Sequence, residues 1–255
     1  MQKMLLLATV STVAMIFAGN ANSADLPRKA PPMVAVAPAF SWTGCYVGAH
    51  VGWGWGRQNV TQSFVSAGET TFTDSASNGL DSSGGLFGGQ VGCNYQFAGS
   101  WVAGIQGDLA ASDINGRADD GVGGGGTIAV KTDYIASLTG RLGMTGFAGW
   151  NNQALYYVKG GVAWDRNQWD LHNASLPFNP GQITETRTGW TVGGGVEWPF
   201  FTHWTAFVEG NYYDFGDGHD FTQDLGGGSS NTFSTGRQTI VTAKIGVNYK
   251  LFGGN

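Results

Sequence analysis

Apolar and polar residues alternate with a period of two along most of this chain. In residues 43–55 the odd positions read Thr, Cys, Val, Ala, Val, Trp, Trp, and the even ones are Gly44, Tyr46, Gly48, His50, Gly52 and Gly54. The pattern returns in residues 87–97, 101–111, 134–144, 156–164, 190–198, 206–212 and 243–251. One face of each segment carries Val, Leu, Ile and aromatics, and the other carries Gly, amides, hydroxyls and an occasional charge. A period of two predicts β-strands. Each of the eight segments approaches the ~9–11 residues that a tilted strand needs to cross a bilayer.

A soluble sandwich also alternates, with its apolar face turned inward. The segment ends separate the two cases, because Trp and Tyr cluster there as they do in interfacial girdles. The connections agree. Those after segments two, four and six are short to moderate (98–100, 145–155 and 199–205). Those after one, three, five and seven are longer and polar (56–86, 112–133, 165–189 and 213–242), and each includes strand extensions. In hydrocarbon every backbone N–H and C=O must be paired within the protein, so strands are admissible only as a closed barrel. The expected fold is all-β: an eight-stranded antiparallel transmembrane β-barrel with short periplasmic turns and long extracellular loops.

Composition strengthens this reading. Charged residues make up 12% and aromatics 13% of the chain, with 43 Gly and 10 Trp; about 25% charge is usual for a soluble domain. Little charge with much Trp and Tyr means that something other than water covers part of the surface. At the N-terminus, Lys3 precedes an uncharged apolar run over 4–18 and the small residues Ala21 and Ser23, the anatomy of a secretory signal peptide cleaved after Ser23. Losing Lys3 leaves 12 basic side chains against 18 acidic ones, which argues against a nucleic-acid partner. The expected organisation is a signal peptide (1–23), a proline-rich periplasmic leader (24–41), a barrel (42–252) and a short tail (253–255). It implies export to the periplasm and insertion into the outer membrane, with membrane lipid, lipopolysaccharide and the outer-membrane assembly machinery as partners. The sequence leaves the oligomeric state open.

Ala24-Asp-Leu-Pro27, Phe40-Ser-Trp-Thr-Gly44 and Tyr46-Val-Gly48 resemble the entry of the alphaproteobacterial outer-membrane surface antigens. These are small OmpA-like barrels found in Brucella, Bartonella and rhizobia. Further matching motifs are Thr139-Gly-Arg-Leu-Gly143, Tyr157-Val-Lys-Gly-Gly-Val-Ala163, Thr188-Gly-Trp-Thr-Val-Gly-Gly-Gly-Val-Glu197, Tyr212-Tyr-Asp-Phe-Gly216 and Lys244-Ile-Gly-Val-Asn-Tyr-Lys250. The resemblance implies an outer-membrane protein of immunogenic, structural type, porin-like or heme-binding in some members. Two features depart from the family pattern: Cys45 and Cys93 stand where an aromatic is usual, and Gly253-Gly-Asn255 follows the C-terminal aromatic Phe252.

The candidate chemistry lies on the inward face, where the alternation places Asp108, Arg141, Lys159, Glu197, Glu209 and Lys244, three of each sign. Unpaired charges in a narrow barrel are costly, so these six are expected to pair, as a plug or as a gate with weak small-solute permeability. Arg141, Lys159, Glu197 and Glu209 are expected nearer the periplasm, with Asp108 and Lys244 deeper. No GxSxG elbow or spaced metal motif occurs, so neither catalysis nor a metal centre is expected. Asp214, Asp217, Asp220 and Asp224 do not follow an EF-hand spacing and read as a hydrated acidic loop. Cys45 and Cys93 fall on the lipid face of neighbouring strands, as a cross-strand disulfide or as two apolar thiols. No cofactor is required; by family analogy, His172 and His219 with Trp169, Phe178 and Phe221 are the candidate residues for a heme site. The expected function is a structural, antigenic surface protein, with a diffusion porin or a surface binding module for heme or host ligands as the alternatives.

Overall fold

The computed structural model describes residues 40–65, 71–74, 80–119, 127–146, 153–172, 182–218, 220–226 and 229–252. The expected signal peptide, the expected leader up to residue 39, the tail 253–255, Phe178 and His219 lie outside the described residues. Ten strands follow in order: β1 (Gly44–Val65), β2 (Thr71–Asp74), β3 (Leu80–Phe97), β4 (Trp101–Asp119), β5 (Thr127–Thr145), β6 (Leu155–His172), β7 (Gln182–Pro199), β8 (Trp204–Asp214), β9 (Asp220–Gly226) and β10 (Ser229–Phe252). Eight of them close a ring, β1-β3-β4-β5-β6-β7-β8-β10, sealed by antiparallel pairing of β1 with β10. The short β2 and β9 extend β1 and β10 at one end.

The register fixes the size of the barrel. Starting at Cys45, the pairs run through Cys93, Ile105, Gly140, Gly160, Val192, Tyr212 and Val241 to Trp55. One circuit therefore returns to β1 ten residues further along, which is the shear. Eight strands with that shear, ~3.3 Å of rise and ~4.7 Å of spacing give a tilt of about 41° and a radius of about 8 Å. Such an interior has room for side chains but not for a wide channel.

All nine residues on that circuit face outward, and the exposed apolar residues share their parity: Val47, Val51, Phe87, Val91, Leu109, Leu138, Leu142, Val158, Val208 and Ile245. Phe87 and Ile105 expose 67% and 65% of their surface, values that only a lipid environment makes sense of. Two aromatic levels bound this band. Tyr95, Phe97, Trp101, Trp204 and Tyr249 mark the end with the short turns, and Trp53, Trp55, Phe87, Trp190 and Tyr212 mark the other. On β7, Trp190 and Trp198 are eight residues apart, a vertical span of ~20 Å at this tilt. The β3–β4 turn at the first end is tight: Phe97 pairs with Trp101 across 98–100, with Ala98 at φ 46° and Gly99 at φ 76°. By the usual asymmetry of these barrels this end is periplasmic.

Beyond the upper aromatic level the strands do not stop. Seven of the eight run on, so that β1 is 22 residues long and β10 is 24. Much of what the sequence reading assigned to loops is therefore barrel wall, including Asp165 and Arg187. Asp214 is likewise no part of a hydrated loop: it is buried, pairs with Arg237 and accepts the Gly216 N–H. Residues 220–226 beyond it form β9. Among the described residues, no cluster of His, Cys, Asp and Glu is arranged to hold a metal.

Cys45 and Cys93 are register partners and are joined by a disulfide, Cα to Cα 4.0 Å. The bond closes a loop over a sequence separation of 48, worth up to about 4 kcal/mol by the chain-entropy estimate. Reduction should therefore lower the temperature at which the unboiled, fast-migrating gel band converts to the unfolded one, with no effect on a Cys45→Ser/Cys93→Ser variant. Equal conversion temperatures for reduced and oxidised wild type would show that the bond contributes nothing.

Candidate functional site in the barrel interior

The inward parity fills the barrel with stacked layers. At the periplasmic mouth the chain enters before β1 as Phe40-Ser-Trp42. Trp42 belongs to no strand: its indole turns in against Val102, Leu155 and Tyr157, and it is 4% exposed. Its backbone N–H donates to Gln96 Oε1 (2.9 Å), and its ring N–H donates to the Gln153 carbonyl (3.2 Å). Phe40 packs edge-on against it at 5.0 Å, with Lys250 Nζ 5.2 Å from the Phe40 ring centre. These residues cork the barrel.

Above the cork lies a closed circle of hydrogen bonds. Arg141 donates through Nη2 to Glu197 (2.8 Å) and through Nη1 to the Tyr46 hydroxyl (2.8 Å). Tyr46 donates to Gln106 (2.9 Å), Gln106 to Gln90 (3.0 Å), Gln90 to Asn248 (2.6 Å), and Asn248 back to Glu197 (2.8 Å). Six strands thus contribute one side chain each. Thr205 gives Glu197 a further bond, and the Arg141 guanidinium lies 3.9 Å over the Tyr157 ring, a geometry suited to cation–π attraction. Two glycines make room for these phenols: a Cβ at Gly92 would sit 2.5 Å from the Tyr46 hydroxyl, and one at Gly195 2.9 Å from that of Tyr157.

The next level holds two further ion pairs. Lys159 and Glu209 therefore lie beside Lys244 and Asp108 and not, as the sequence suggested, nearer the periplasm with Arg141 and Glu197: the register sets Glu209 directly opposite Lys244. Lys159 meets Glu209 at 2.7 Å, and Glu209 also accepts from Tyr157 (2.9 Å) and Asn211 (2.9 Å). Lys244 meets Asp108 at 2.8 Å, and His50 Nε2 lies 2.8 Å from the other Asp108 oxygen. All six charged residues singled out in the sequence are buried, and they form three pairs: Arg141–Glu197, Lys159–Glu209 and Lys244–Asp108. His50 as a second partner of Asp108 was not foreseen. Its depth relative to Asp108 depends on the shear, which alternation does not reveal.

A layer without charge follows at the height of the upper aromatics: Ile114, Ile135, Ala163, Tyr213, Phe215 and Ile240, with Tyr213 and Phe215 stacked at 6.1 Å. Above it a second polar layer occupies the strand extensions. There Arg187 pairs with Glu185 (3.0 Å), and Asn167 donates to Asp165 (2.8 Å) and Gln238 (2.8 Å) while accepting from Thr132 (2.8 Å). Sequence reasoning missed both layers, because it placed most of their residues in loops. Of the heme candidates, His219 and Phe178 lie outside the described residues, and so do the side chains of Trp169, His172 and Phe221.

The buried pairs are mutually dependent, since removing one partner strands the other charge away from water. Arg141→Met should destabilise the barrel by about 3–5 kcal/mol, and adding Glu197→Gln should recover most of the loss. Urea unfolding of the protein in lipid vesicles, followed by Trp fluorescence, measures both. A single variant as stable as wild type would remove the circle from the forces that hold the fold.

No family model matches the chain. It is 28% identical over 249 residues to the 31 kDa outer-membrane immunogenic protein of Brucella melitensis, covering 94% of this chain and 98% of the relative. It is also 28% identical over 251 residues to the 25 kDa outer-membrane immunogenic protein of Brucella abortus, covering 96% and 97%. Among solved structures, OprG from Pseudomonas aeruginosa aligns at 16% identity and a TM-score of 0.49, over 84% of this chain and 99% of that one. Neisserial surface protein A aligns at 11% identity and a TM-score of 0.42, over 82% and 98%. The chain is an integral outer-membrane surface protein, similar nearly end to end to the Brucella outer-membrane immunogenic proteins.

Proposed function

We propose that the barrel is a sealed, non-catalytic component of the bacterial surface: a wall-embedded scaffold that displays the segments joining its strands, with no open pore at rest. One observation carries this reading. The polar interior is closed by apolar side chains at two levels, the Trp42 cork at the periplasmic mouth and the Ile114–Ile135–Tyr213–Phe215–Ile240 layer near the outer leaflet. An ion crossing the barrel would shed its hydration at both, while the fixed charges between them already satisfy one another. His50 serves Asp108 inside this wall, which supports a packing role over general-base chemistry. The immunogenic character named for the Brucella relatives fits display of extracellular segments.

Planar-bilayer recording of the folded protein tests the proposal. Wild type should show no steady conductance, and Trp42→Ala should remain closed because the upper layer is intact. Trp42→Ala combined with Tyr213→Ala and Ile240→Ala should admit ions. Steady open channels in the wild type would establish the diffusion-porin alternative instead.

A further inference from the structure

The Lys and Arg residues of the barrel are distributed unevenly. Arg141, Lys159, Arg187 and Lys244 point inward and are buried, and Lys250 sits at the periplasmic mouth. The remaining five, Arg57, Arg117, Lys131, Arg166 and Arg237, are all exposed on the outer wall above the upper aromatic level. None lies on the lipid-facing parity between the two aromatic levels. In a protein with net charge −5, the outer wall is ringed with cations at the height where lipid headgroups begin.

Two members of this ring are committed elsewhere: Arg57 pairs with Asp81 at 3.1 Å, and Arg237 pairs with Asp214. The other three lie on adjacent strands. Lys131 on β5 has Asn115 as its register partner on β4, which sets Arg117, two residues on, diagonally across from it. Its partner on β6 is Gln168, which sets Arg166, two residues back, on the other diagonal. Diagonal neighbours on one sheet face are ~7–8 Å apart, so Arg117, Lys131 and Arg166 form a continuous row. Arg166 is directly opposite Tyr134 and two residues above Trp164. Arg117 and Arg166 have no ion pair among the described residues, and Lys131 has a solvent-exposed contact to Asp113 at 3.5 Å.

We infer that the outer wall of β4–β6, through Arg117, Lys131 and Arg166, is a binding site for the phosphates of lipid A, the membrane anchor of lipopolysaccharide. The inference rests on the outer-membrane reading above and deepens it by assigning residues. Guanidinium groups match phosphate oxygens in a forked, bidentate geometry. A phosphate monoester carries nearly two negative charges and three acceptor oxygens, so it displaces the loose Asp113 contact more readily than a phosphodiester does. A row of three cations spans more than one such group, as a bis-phosphorylated glycolipid presents and a single-headed phospholipid does not. Tyr134 and Trp164 beneath the row supply the interfacial ledge on which the acyl chains begin.

Native mass spectrometry of the folded mature chain in detergent, titrated with bis-phosphorylated lipid A, tests the site. Wild type should retain the lipid, and Arg117→Gln/Lys131→Gln/Arg166→Gln should hold it at least about tenfold more weakly. Dephosphorylated lipid A and phosphatidylglycerol should bind wild type at least about tenfold more weakly as well. Arg57→Gln/Arg237→Gln should keep wild-type affinity. An unaffected triple variant, equal binding of phosphatidylglycerol, or an equal loss in the Arg57/Arg237 variant would overturn the inference. Each protein is first checked for the boiled-versus-unboiled gel shift, so absence of that shift in the wild type refutes the barrel and not the lipid site. If the triple variant fails to fold, Arg117→Gln/Arg166→Gln, which leaves Lys131–Asp113 intact, decides the question in the same way.

Discussion

Pairing of β1 with β10 is the constraint on which everything else depends. A strand in hydrocarbon has no water to satisfy its N–H and C=O groups, and each one left unpaired costs several kcal/mol. The sheet must therefore close, and closure with eight strands and a shear of ten leaves no freedom in radius or tilt. Once those are fixed, so is the depth of every side chain. Asp108, Lys244 and His50 meet only because β4, β10 and β1 bring positions 108, 244 and 50 to one level. The interior network follows from the geometry of closure as much as from the residues that compose it.

That dependence explains what the amino-acid sequence discloses and what it hides. Which face each spanning residue occupies follows from parity, because lipid on one side and a packed polar interior on the other keep the contrast between odd and even positions high. Above the upper aromatics the contrast collapses. There the outer wall meets water and headgroups, so Arg57, Asn115, Lys131 and Thr186 stand outside while Gln58, Thr132 and Glu185 stand inside. Polar residues on both faces read as loop, although the backbone remains strand. The apolar layer is hidden for a related reason: Ile114, Ile135 and Ile240 are apolar on the inward parity, the opposite of what the spanning pattern teaches. The Arg141–Glu197 pairing could not be assigned from spacing, since the partners are 56 positions apart and meet across the lumen between strands that are not neighbours. Cys45 and Cys93 were legible as neighbours through parity and strand order, and only the register makes them direct partners.

The distribution of charge follows from three solvents acting on one wall. Hydrocarbon excludes charge from the outward face between the aromatic levels, the membrane-spanning part of the lumen holds its charges in pairs, and the headgroup layer accepts cations singly. Arg141, Lys159 and Lys244 accordingly have carboxylate partners within 2.8 Å, whereas Arg117 and Arg166 have none among the described residues. A basic side chain without a carboxylate partner is unremarkable in water; beside a membrane surface, anionic headgroups are its natural counter-charge. The aromatic levels act as the boundary markers between these regimes.

Buried ion pairs are weak evidence for stability, because desolvation offsets much of their attraction. Their larger effect in this barrel is on register. A strand slipped by one residue exchanges its faces, which would carry Arg141 and Leu142, or Lys159 and Val158, to opposite sides of the wall. A basic residue on the lipid face near mid-bilayer costs about 2–4 kcal/mol, and the same slip would also break the hydrogen-bonded circle that runs through Arg141. The Gly-rich strands make this discrimination necessary: Gly160, Gly161, Gly193, Gly194 and Gly195 present almost no side-chain contrast between faces, and β6 and β7 pair through them. On those strands Lys159 and Glu197 therefore add to the difference between correct and slipped alignments that Val158, Trp190 and Val192 on the lipid face already set.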